Sequence, residues 1–392
     1  MRTLAGICAA CGVVAAIFVI KGSAQQQFPP QPLEAVRPIA PPATPLPAEG
    51  ATARQTRFSF IAYGDTRSQV DGKALQPDHG AVVGSMVTTI ASLASTTFPV
   101  RFVLQSGDAV SNGTQGAAWN VSYTPIVERI TRGAGIPYFL TAGNHDVSYL
   151  GEGSRALGLH NTLSALARLI PPEGSPRRLA GYPTYAFGYG NLFAIAIDSN
   201  IAADPLQLAW VTDQLVHLDR ARYRHVIAFF HHPVFSSGPH GGVSPGPNGP
   251  AVADNVERQT AALRMLYAPL FRTFHVRMTI SGHDHLFDHW VERYTDAGVA
   301  YRRDDVVTGG GGAPIYTYRG EPEVQQYLAG SATQNVRLSH LMKPGMTAAE
   351  NPHHFVVIQV DGDRLSLEVI GVGPAAYKPY NGQSRIELND PN

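Results

Sequence analysis

The sequence predicts an α/β fold, and three observations lead to this prediction. Several short runs are apolar almost throughout, which is typical of strands buried on both faces of a sheet. The segments between these runs have helical patterns, and helices that alternate with such strands cover the faces of the sheets. The C-terminal part instead contains two β runs around the turn sequence DGD at residues 354–372, which is typical of a hairpin.

Six runs are predicted to form the strands, and five intervening segments are predicted to form helices. Asp204 before Pro205 is a typical helix start, because Asp caps free N–H groups and Pro suits the first turn. The predicted strands span residues 58–63, 100–106, 137–142, 192–198, 225–230 and 276–281. The predicted helices span Ala81–Ser95, Gln115–Thr131, Ala156–Leu169, Pro205–Leu218 and Val256–Phe274.

Length and composition narrow the class of protein. The chain has 392 residues, enough for one large domain or two ordinary ones. Its residues are 44% hydrophobic and 15% charged, which suits a globular protein with a sizeable core. Because its 30 basic and 30 acidic residues cancel, nothing indicates the electrostatic footprint of a nucleic-acid-binding protein.

The N-terminal segment predicts export. Arg2 precedes an apolar run from Leu4 to Ile20 and small residues near Ala24, which is typical of a secretory signal peptide at residues 1–24. The run is long for a cleaved signal and short for a membrane span, so a retained N-terminal anchor is the alternative. Both cysteines lie in this run, so the mature protein would have neither disulfide nor thiolate chemistry. We expect a periplasmic or extracellular domain, either free or tethered to the membrane.

The other boundaries follow from composition. Residues 25–55 are rich in Pro, which excludes regular structure and favours an extended, disordered linker. The folded domain is predicted at residues 56–375, beginning near Arg57, and a C-terminal tail is predicted at residues 376–392.

Five of the predicted strands are each followed by residues that can bind a metal or transfer a proton. Open α/β sheets place their functional sites at the carboxyl ends of the strands, so we expect these residues to converge. A glycine precedes most of them and lets the backbone turn sharply, so that the next side chain points inward. The sequences are GDTR with Asp65, GDAV with Asp108, GNHD with Asn144 and His145, HHPV with His231 and His232, and GHDH with His283 and His285.

The types of residue predict a metal centre. Asp oxygens, an Asn carbonyl and His nitrogens together suit Zn, Mn or Fe, whereas a thiolate set would indicate a structural zinc. Two such ions about 3.5–4 Å apart can hold a bridging hydroxide and a phosphoryl oxygen for in-line attack. A shared carboxylate is then needed, and Asp108 is the natural bridge. Each motif alone could be a turn or a helix cap, but this order after five strands is hard to explain by independent turns.

Together these motifs resemble those of the calcineurin-like metallophosphoesterases, and within that group the chain is similar to the purple acid phosphatases. The resemblance extends from Phe58 to about Tyr318. The family pattern is Asp-x-His or Asp-x-Gly, then Gly-Asp, Gly-Asn-His-Asp/Glu, His before x-Pro, and Gly-His-x-His; all except the first are intact. The resemblance implies a four-layer αββα sandwich of two mixed β-sheets with helices outside.

The resemblance also implies which residues hold two divalent or trivalent ions of Fe, Mn or Zn. His231 is preferred to His232, because the family ligand precedes x-Pro. The implied ligands are Asp65 and His285 for the first ion, Asp108 as the bridge, and Asn144, His231 and His283 for the second ion.

Two further histidines would act on the substrate in an enzyme of this kind. The resemblance implies that His145 contacts the phosphate and assists the leaving group. His240 lies in the Gly- and Pro-rich loop after HHPVF, nine residues beyond His231, and a histidine at similar spacing helps to protonate the leaving group in similar phosphatases. The alternative is that His240 is a solvent-exposed loop residue with no catalytic role. The glycine-rich segment Thr308–Tyr316 also resembles one in such enzymes, and both a direct role and a turn-rich connection remain open.

Arg67 is the clearest departure from the family pattern. It stands where Asp-x-His would supply a ligand, and Ser111 stands where purple acid phosphatases have a Tyr three residues after the bridging Asp. The first metal site should therefore be the weaker one. Arg67 either clamps a substrate phosphate with its planar fork or forms a structural salt bridge, for example to Asp71. His79 either replaces the lost ligand or lies near the start of the next helix.

Three functions are consistent with these observations. The resemblance favours a metal-dependent phosphomonoesterase of the acid phosphatase type. One alternative is a phosphodiesterase acting on nucleotides or lipid headgroups. The other is a phosphate-binding surface protein with weakened catalysis, which is considered because a metal ligand has been lost. His145 argues against the last, because a pure binder needs no acid there. The expected partner is a phosphorylated small molecule, with no nucleic acid as a regulatory partner.

Overall fold

Two mixed β-sheets, of six and seven strands, form the centre of the fold. The structure, a computed structural model, describes residues 34–147, 152–242, 256–373 and 375–389. The strands are β1 Arg57–Tyr63, β2 Val100–Gln105, β3 Tyr138–Leu140, β4 Tyr185–Tyr189, β5 Leu192–Ala196, β6 His225–Phe229, β7 Met278–Ser281, β8 Phe287–Asp296, β9 Val299–Thr308, β10 Arg337–Met342, β11 His353–Asp361, β12 Arg364–Val372 and β13 Arg385–Glu387.

Each sheet contains a run of neighbouring parallel strands. The first sheet has the order β13-β12-β11-β1-β2-β3, in which β1, β2 and β3 are parallel and β11 runs antiparallel to β1. The second has the order β10-β8-β9-β7-β6-β5-β4, in which β5, β6, β7 and β9 are parallel. The carboxyl ends of β1, β2, β3, β6 and β7 are those that carry the predicted site residues, and the β11–β12 hairpin predicted around DGD is confirmed.

The two sheets pack face to face through aromatic side chains. Phe139 of the first sheet stacks on Phe187 of the second at 3.9 Å between ring centroids, and Phe102 meets the same ring edge-on at 5.3 Å. Side chains on the outer face of the second sheet, such as Phe193 and Val226, belong instead to a second core with the helices that cover it. Because successive strand residues point to opposite faces, each sheet is buried on both sides. The predicted αββα sandwich is confirmed.

The helices occupy the segments where the sequence predicts them, with shifted ends. Asp204 caps its helix as expected, accepting hydrogen bonds from the N–H groups of Leu206 and Gln207. Two predicted helices contain π-helical turns, at Ala118–Tyr123, Arg129–Ala134 and Leu263–Tyr267. The helices are α1 Pro77–Leu93, α2 Thr124–Glu128, α3 Asn144–Val147, α4 Glu152–Leu166, α5 Pro205–Val216, α6 Arg258–Ala262, α7 Ala268–Thr273 and α8 Gln325–Gly330.

The predicted linker is ordered where the structure describes it. Ile39 is fully buried, and its backbone N–H donates to the carbonyl of Ala165 at 2.9 Å. Arg37 similarly donates through its backbone N–H to the side chain of Asn120 at 2.8 Å. The expectation of a disordered spacer is therefore wrong for residues 34–55, because two apolar side chains in a Pro-rich stretch are enough to anchor it. The C-terminal tail is likewise part of the domain, since β13 pairs with β12.

The predicted signal peptide lies outside the described residues, as does the N-terminal part of the predicted linker. Among the residues that are described, we find no helix with the length and apolar character required to cross a membrane.

The sequence pattern did not reveal β8 and β9, because these strands bury charged side chains. Asp304 and Arg303 of β9 are fully buried, and they are satisfied by ion pairs and not by apolar contacts. Asp304 accepts hydrogen bonds from Arg302 at 2.7 Å and from His289 at 2.9 Å, and it also pairs with Arg277. A run of consecutive charged residues is normally expected on a solvated surface, so an argument based on hydrophobic periodicity does not identify the strand.

We expect Asp304→Ala to lower the free energy of unfolding by about 3–5 kcal/mol, because it leaves buried cations without a counter-charge. Urea unfolding of the variant and the wild type measures this difference. Asp361→Ala is the matched control: this carboxylate also pairs with two arginines, Arg57 and Arg364, but at the surface, where ion pairs contribute little. Equal losses in the two variants would contradict the view that the Asp304 cluster supports the second sheet.

Candidate functional site

The predicted site residues meet at one edge of the sandwich, where strands of both sheets end. Asp65, Asp108 and Asn144 follow strands of the first sheet, and His231 and His283 follow strands of the second. Residues far apart in sequence are therefore brought within hydrogen-bonding distance across the gap between the sheets.

Several electron-rich atoms surround the Nε2 atom of His231. Asn144 Oδ1 lies 2.9 Å from it, His283 Nδ1 lies 3.1 Å from it, and Asp108 Oδ1 lies 3.3 Å from it. These are the atoms predicted to hold the second ion. His232 has its Nδ1 atom bonded to the hydroxyl of Ser199 at 2.8 Å, and together with Glu257 and His283 it offers a further set of ligand atoms that could hold a metal ion.

Hydrogen bonds on the outer sides of these rings fix which nitrogens carry protons. His231 Nδ1 donates to the carbonyl of Ser106 at 3.0 Å, and His283 Nε2 donates to Glu257 at 2.9 Å. Carbonyl and carboxylate oxygens can only accept, so the two nitrogens that face each other both present lone pairs. Lone pairs 3.1 Å apart repel unless a proton or a metal ion lies between them. The donor set therefore fits a divalent or trivalent metal ion.

A second group of ligand atoms lies beside the first. Asp65, Asp108 and His285 each offer a ligand atom within 4.8 Å of the others, and all three side chains are buried. His285 Nδ1 donates to the carbonyl of Pro314 at 2.7 Å, so its Nε2 is the nitrogen that carries the lone pair, and this atom lies 3.6 Å from Asp65 Oδ1. These residues are the ones predicted to hold the first ion, and the donor set again fits a metal.

Arg67 lies directly against this second group. Its Nε atom donates to Asp108 Oδ2 at 3.2 Å, and its Nη2 atom lies 3.4 Å from His285 Nε2. The suggested partner Asp71 is wrong, because its carboxylate accepts from the N–H of Ser111 at 2.7 Å instead. The guanidinium therefore satisfies acceptors that a first ion would also need, which agrees with a weaker first site.

Burial and charge set the protonation of the cluster. Burial lowers the pKa of His231 and that of His285 to about 3, so both imidazoles are neutral and able to act as ligands. Burial raises the pKa of Asp65, and the neighbouring Asp108 raises it further. Burial alone would also raise the pKa of Asp108, but the surrounding cationic groups, with the Arg67 guanidinium among them, hold that pKa below its usual value. Negative charge is thus concentrated on the residue that the resemblance assigns as the bridge.

The backbone at the site adopts conformations that are uncommon for residues other than glycine. Asp65, Asp108 and His283 have φ values of 60°, 54° and 69°, in the left-handed region. Such conformations cost free energy and cluster at functional sites. At Asp65 and His283, the metal-ligand candidate itself makes the turn, and the preceding glycine provides room. A Cβ atom on Gly282 would overlap the Asp65 carboxylate.

His145 lies at the accessible edge of this cluster. Its backbone N–H donates to Asp108 Oδ1 at 2.9 Å, and its Nδ1 donates to the carbonyl of Ser111 at 2.8 Å. Its Nε2 atom lies 3.9 Å from Asp108 Oδ2, and the side chain keeps 11% of its exposure. Ser111, which stands where related enzymes have a Tyr ligand, thus contributes a backbone oxygen that orients His145.

His240 also lies at the cluster, where it contacts Glu257 and Asp284, two residues that the sequence did not predict to be part of the site. Its ring lies 4.0 Å from that of His283, and its Nδ1 is bonded to Glu257 Oε1 at 2.7 Å. Its backbone N–H donates to Asp284 at 3.1 Å. Burial opposes protonation of His240, but the bond to Glu257 and the charge of Asp284 outweigh it, so its pKa is raised. Asp284 stands inside the GHDH motif and could have been considered; Glu257 had no signal in the sequence.

The segment Thr308–Tyr316 wraps the first-ion group and is more than a connection. Besides Pro314, it contributes Tyr316, whose ring stacks on His285 at 4.1 Å between centroids. Its backbone N–H groups also hold the GDTR turn, with Ala313 donating to the carbonyl of Asp65 at 2.8 Å. His79, in contrast, lies in the first turn of α1 and is hydrogen-bonded to Tyr63 at 3.1 Å, so it does not replace the lost ligand.

A family model for calcineurin-like phosphoesterases matches residues 90–287, which is half of the chain. The match includes all the motifs except GDTR. The chain therefore belongs to the calcineurin-like phosphoesterase family.

Among solved structures, the purple acid phosphatase PPD1 from seeds of yellow lupin (Lupinus luteus) is similar, with a TM-score of 0.57 and 16% identity. The match covers 88% of this chain and 55% of the lupin chain, so this chain spans about half the length of that enzyme. GAP50, the anchor in the inner membrane complex of Plasmodium, has a TM-score of 0.44 and 14% identity over 86% of this chain and 89% of its own. At such identities the likeness to the lupin enzyme shows a shared fold. No curated protein matches the sequence.

Proposed function

We propose that this protein is a phosphomonoesterase with two adjacent metal ions. The observation that carries the proposal is the pair of inward-facing lone pairs on His231 and His283, 3.1 Å apart, beside the Asp108 carboxylate. Asn144 would complete the second-ion site. Asp65 and His285 would hold the first ion, with Asp108 between the two. Divalent ions in such a centre supply Lewis acidity and an activated water; Fe, Mn and Zn all suit these ligands.

The chain's own residues would bind the phosphate and handle the leaving group. Arg67 keeps 21% of its side-chain exposure while it contacts the buried Asp108, so it lies at the mouth of the site, where a guanidinium can bind phosphate oxygens. His145 approaches the same carboxylate oxygen, with its Nε2 atom 3.9 Å from Asp108 Oδ2. Its Nε2 atom points into the cluster, where the imidazolium form of the ring could contact a phosphate or protonate a leaving oxygen. His240 is a second candidate for that proton.

Paired substrates test this proposal. The ratio of kcat/KM for 4-nitrophenyl phosphate to that for bis(4-nitrophenyl) phosphate should exceed one. The reason is that Arg67 and His145, at the mouth of the site, can contact the oxygens of a dianionic phosphate that carries a single ester group. A ratio below one would favour a phosphodiesterase. Binding of phosphate without turnover of either ester would favour a phosphate-binding surface protein and would overturn the proposal.

Arg67→Lys should raise KM for the monoester by about 10–100-fold, because a charged hydrogen bond contributes about 1.5–3 kcal/mol and a point charge cannot reproduce the fork. Arg67→His should tighten the first ion, because it removes the cation that contacts Asp108 and His285 and restores the Asp-x-His pattern. Steady-state kinetics and metal titration measure the two effects separately.

Arg101→Lys is the control for a change from Arg to Lys away from the site, since Arg101 is an exposed residue of β2. Unchanged KM in Arg67→Lys would contradict a role in phosphate binding. A lower melting temperature in both Arg67 variants, with substrate affinity unchanged, would show instead that its pair with Asp108 is structural.

We also propose that the protein acts outside the cytoplasm, in the periplasm or beyond the cell. The support is the sequence of residues 2–24, with its basic start, apolar run and small residues. Its substrate would be a phosphorylated small molecule. N-terminal sequencing of secreted protein would distinguish cleavage near Ala24 from a retained tether.

A further inference from the structure

Glu257 joins two histidines of the candidate site through its two carboxylate oxygens. Oε2 accepts from His283 Nε2 at 2.9 Å, and Oε1 pairs with His240 Nδ1 at 2.7 Å. Glu257 is 17 residues from His240 and 26 residues from His283, so this is a tertiary contact and not a local turn.

The geometry indicates that Glu257 fixes the orientation of both imidazole rings. His283 presents Nδ1 to the predicted second-ion ligands, and its ring can keep that orientation only if its other nitrogen has a fixed partner. The same carboxylate holds the ring of His240 at 4.0 Å from that of His283. One side chain therefore sets the orientation of a candidate metal ligand and of a candidate proton donor together.

A purely local role for Glu257 is not supported. Glu257 directly precedes helix α6, yet its side chain makes no capping hydrogen bond to that helix. Its side chain is one-third exposed, so it fills no core position. Both of its carboxylate oxygens are engaged by the imidazoles of the site.

We propose that Glu257 is a positioning residue that holds His283 in the orientation required for metal binding and keeps His240 beside it. This proposal rests on the proposed function, since it takes His283 to be a ligand of the second ion. A carboxylate bonded to the outer nitrogen of a metal-binding histidine fixes its tautomer and increases its strength as a ligand.

Zn²⁺ affinity of full-length variants tests the proposal. Glu257→Ala should weaken binding of the second ion by about 10–100-fold, the usual effect of removing such a partner. Glu257→Gln should weaken it less, because an amide oxygen can still accept from one ring. Glu257→Ala should also lower kcat more than it raises KM. Competition with a chromophoric chelator gives the affinity, and circular dichroism verifies folding.

Asp296→Asn is the matched control. Asp296 pairs with His275 at 2.8 Å and has similar exposure, 40% against 33% for Glu257. It lies at the C-terminal end of β8, whereas the candidate site lies beside the N-terminal end of that strand. It should leave Zn²⁺ affinity unchanged. A variant in which His240 is also replaced, Glu257→Ala with His240→Ala, should bind Zn²⁺ as weakly as Glu257→Ala alone, because the effect on the metal acts through His283.

The outcomes are distinguishable. If the wild type binds Zn²⁺ and Glu257→Ala binds it equally well, the positioning role is wrong and the proposed function stands. If Glu257→Ala lowers the melting temperature without a change in Zn²⁺ affinity, Glu257 is structural, and the proposal is again overturned. If the wild type binds no Zn²⁺, Mn²⁺ or Fe, the proposed function fails together with it.

Discussion

Asp108→Ala should abolish binding of both metal ions and reduce phosphomonoesterase activity by about 10³-fold or more, at least the loss expected when one group that stabilises developing charge is removed. Asp108 contacts both groups of ligand atoms, since it lies beside His231 in one and offers a ligand atom within 4.8 Å of those of Asp65 and His285 in the other. Its Oδ1 lies 3.3 Å from His231, and its Oδ2 accepts from Arg67 at 3.2 Å. Metal analysis after dialysis and initial rates on 4-nitrophenyl phosphate measure the two losses.

Asp108→Asn is the graded control, since the amide keeps the shape and one ligand oxygen but removes the charge. It should retain some of the second ion and little of the first. Far-UV circular dichroism should show that both variants remain folded. Full metal content and full activity in Asp108→Ala would show that the assignment of the centre is wrong.

His145→Ala should lower turnover by about 10²–10⁴-fold, the usual contribution of a general acid, while metal content stays the same. The side chain lies at the edge of the cluster, with its Nε2 3.9 Å from Asp108, and it is not among the groups that converge on His231. A fixed hydrogen bond to the carbonyl of Ser111 keeps that nitrogen directed inward.

The leaving group separates two explanations for this loss. If His145 donates a proton, the loss should shrink for esters whose leaving groups are already acidic, such as 4-nitrophenol. Equal losses for phenyl phosphate and 4-nitrophenyl phosphate would show that His145 only positions the phosphate. Loss of metal in His145→Ala would contradict its placement outside the metal ligands.

Local motifs explain why much of the site could be predicted from the sequence. Asp65, Asp108 and His283 each lie in the turn directly after a strand, and strand ends of parallel sheets meet at one edge. The prediction that they converge therefore required only the strands and their direction. The position of Arg67 in the loop after β1 could be predicted, but its ion-pair partner could not. Whether Arg67 pairs with Asp108 or with Asp71 depends on how that loop folds back.

Tertiary contacts explain what the sequence did not reveal. Glu257 carries no motif, and it reaches the site only because the loop after β6 and the start of α6 come together there. The strands β8 and β9 escaped prediction because Asp304 and its cationic partners are buried as pairs, which an argument from apolar periodicity treats as surface. Ile39 shows the converse, since buried apolar side chains such as this one hold a Pro-rich segment that composition alone assigns to a linker.

Removal and return of metal is the most direct test of the central claim, that the centre around Asp108 and His231 hydrolyses phosphomonoesters with bound metal ions. The measurement is kcat/KM on 4-nitrophenyl phosphate before chelation, after exhaustive chelation, and after titration with Zn²⁺, Mn²⁺ or Fe. We predict loss of activity on stripping and its recovery as ions return, with Asp108→Ala recovering none. Undiminished activity in protein stripped of metal would contradict the account.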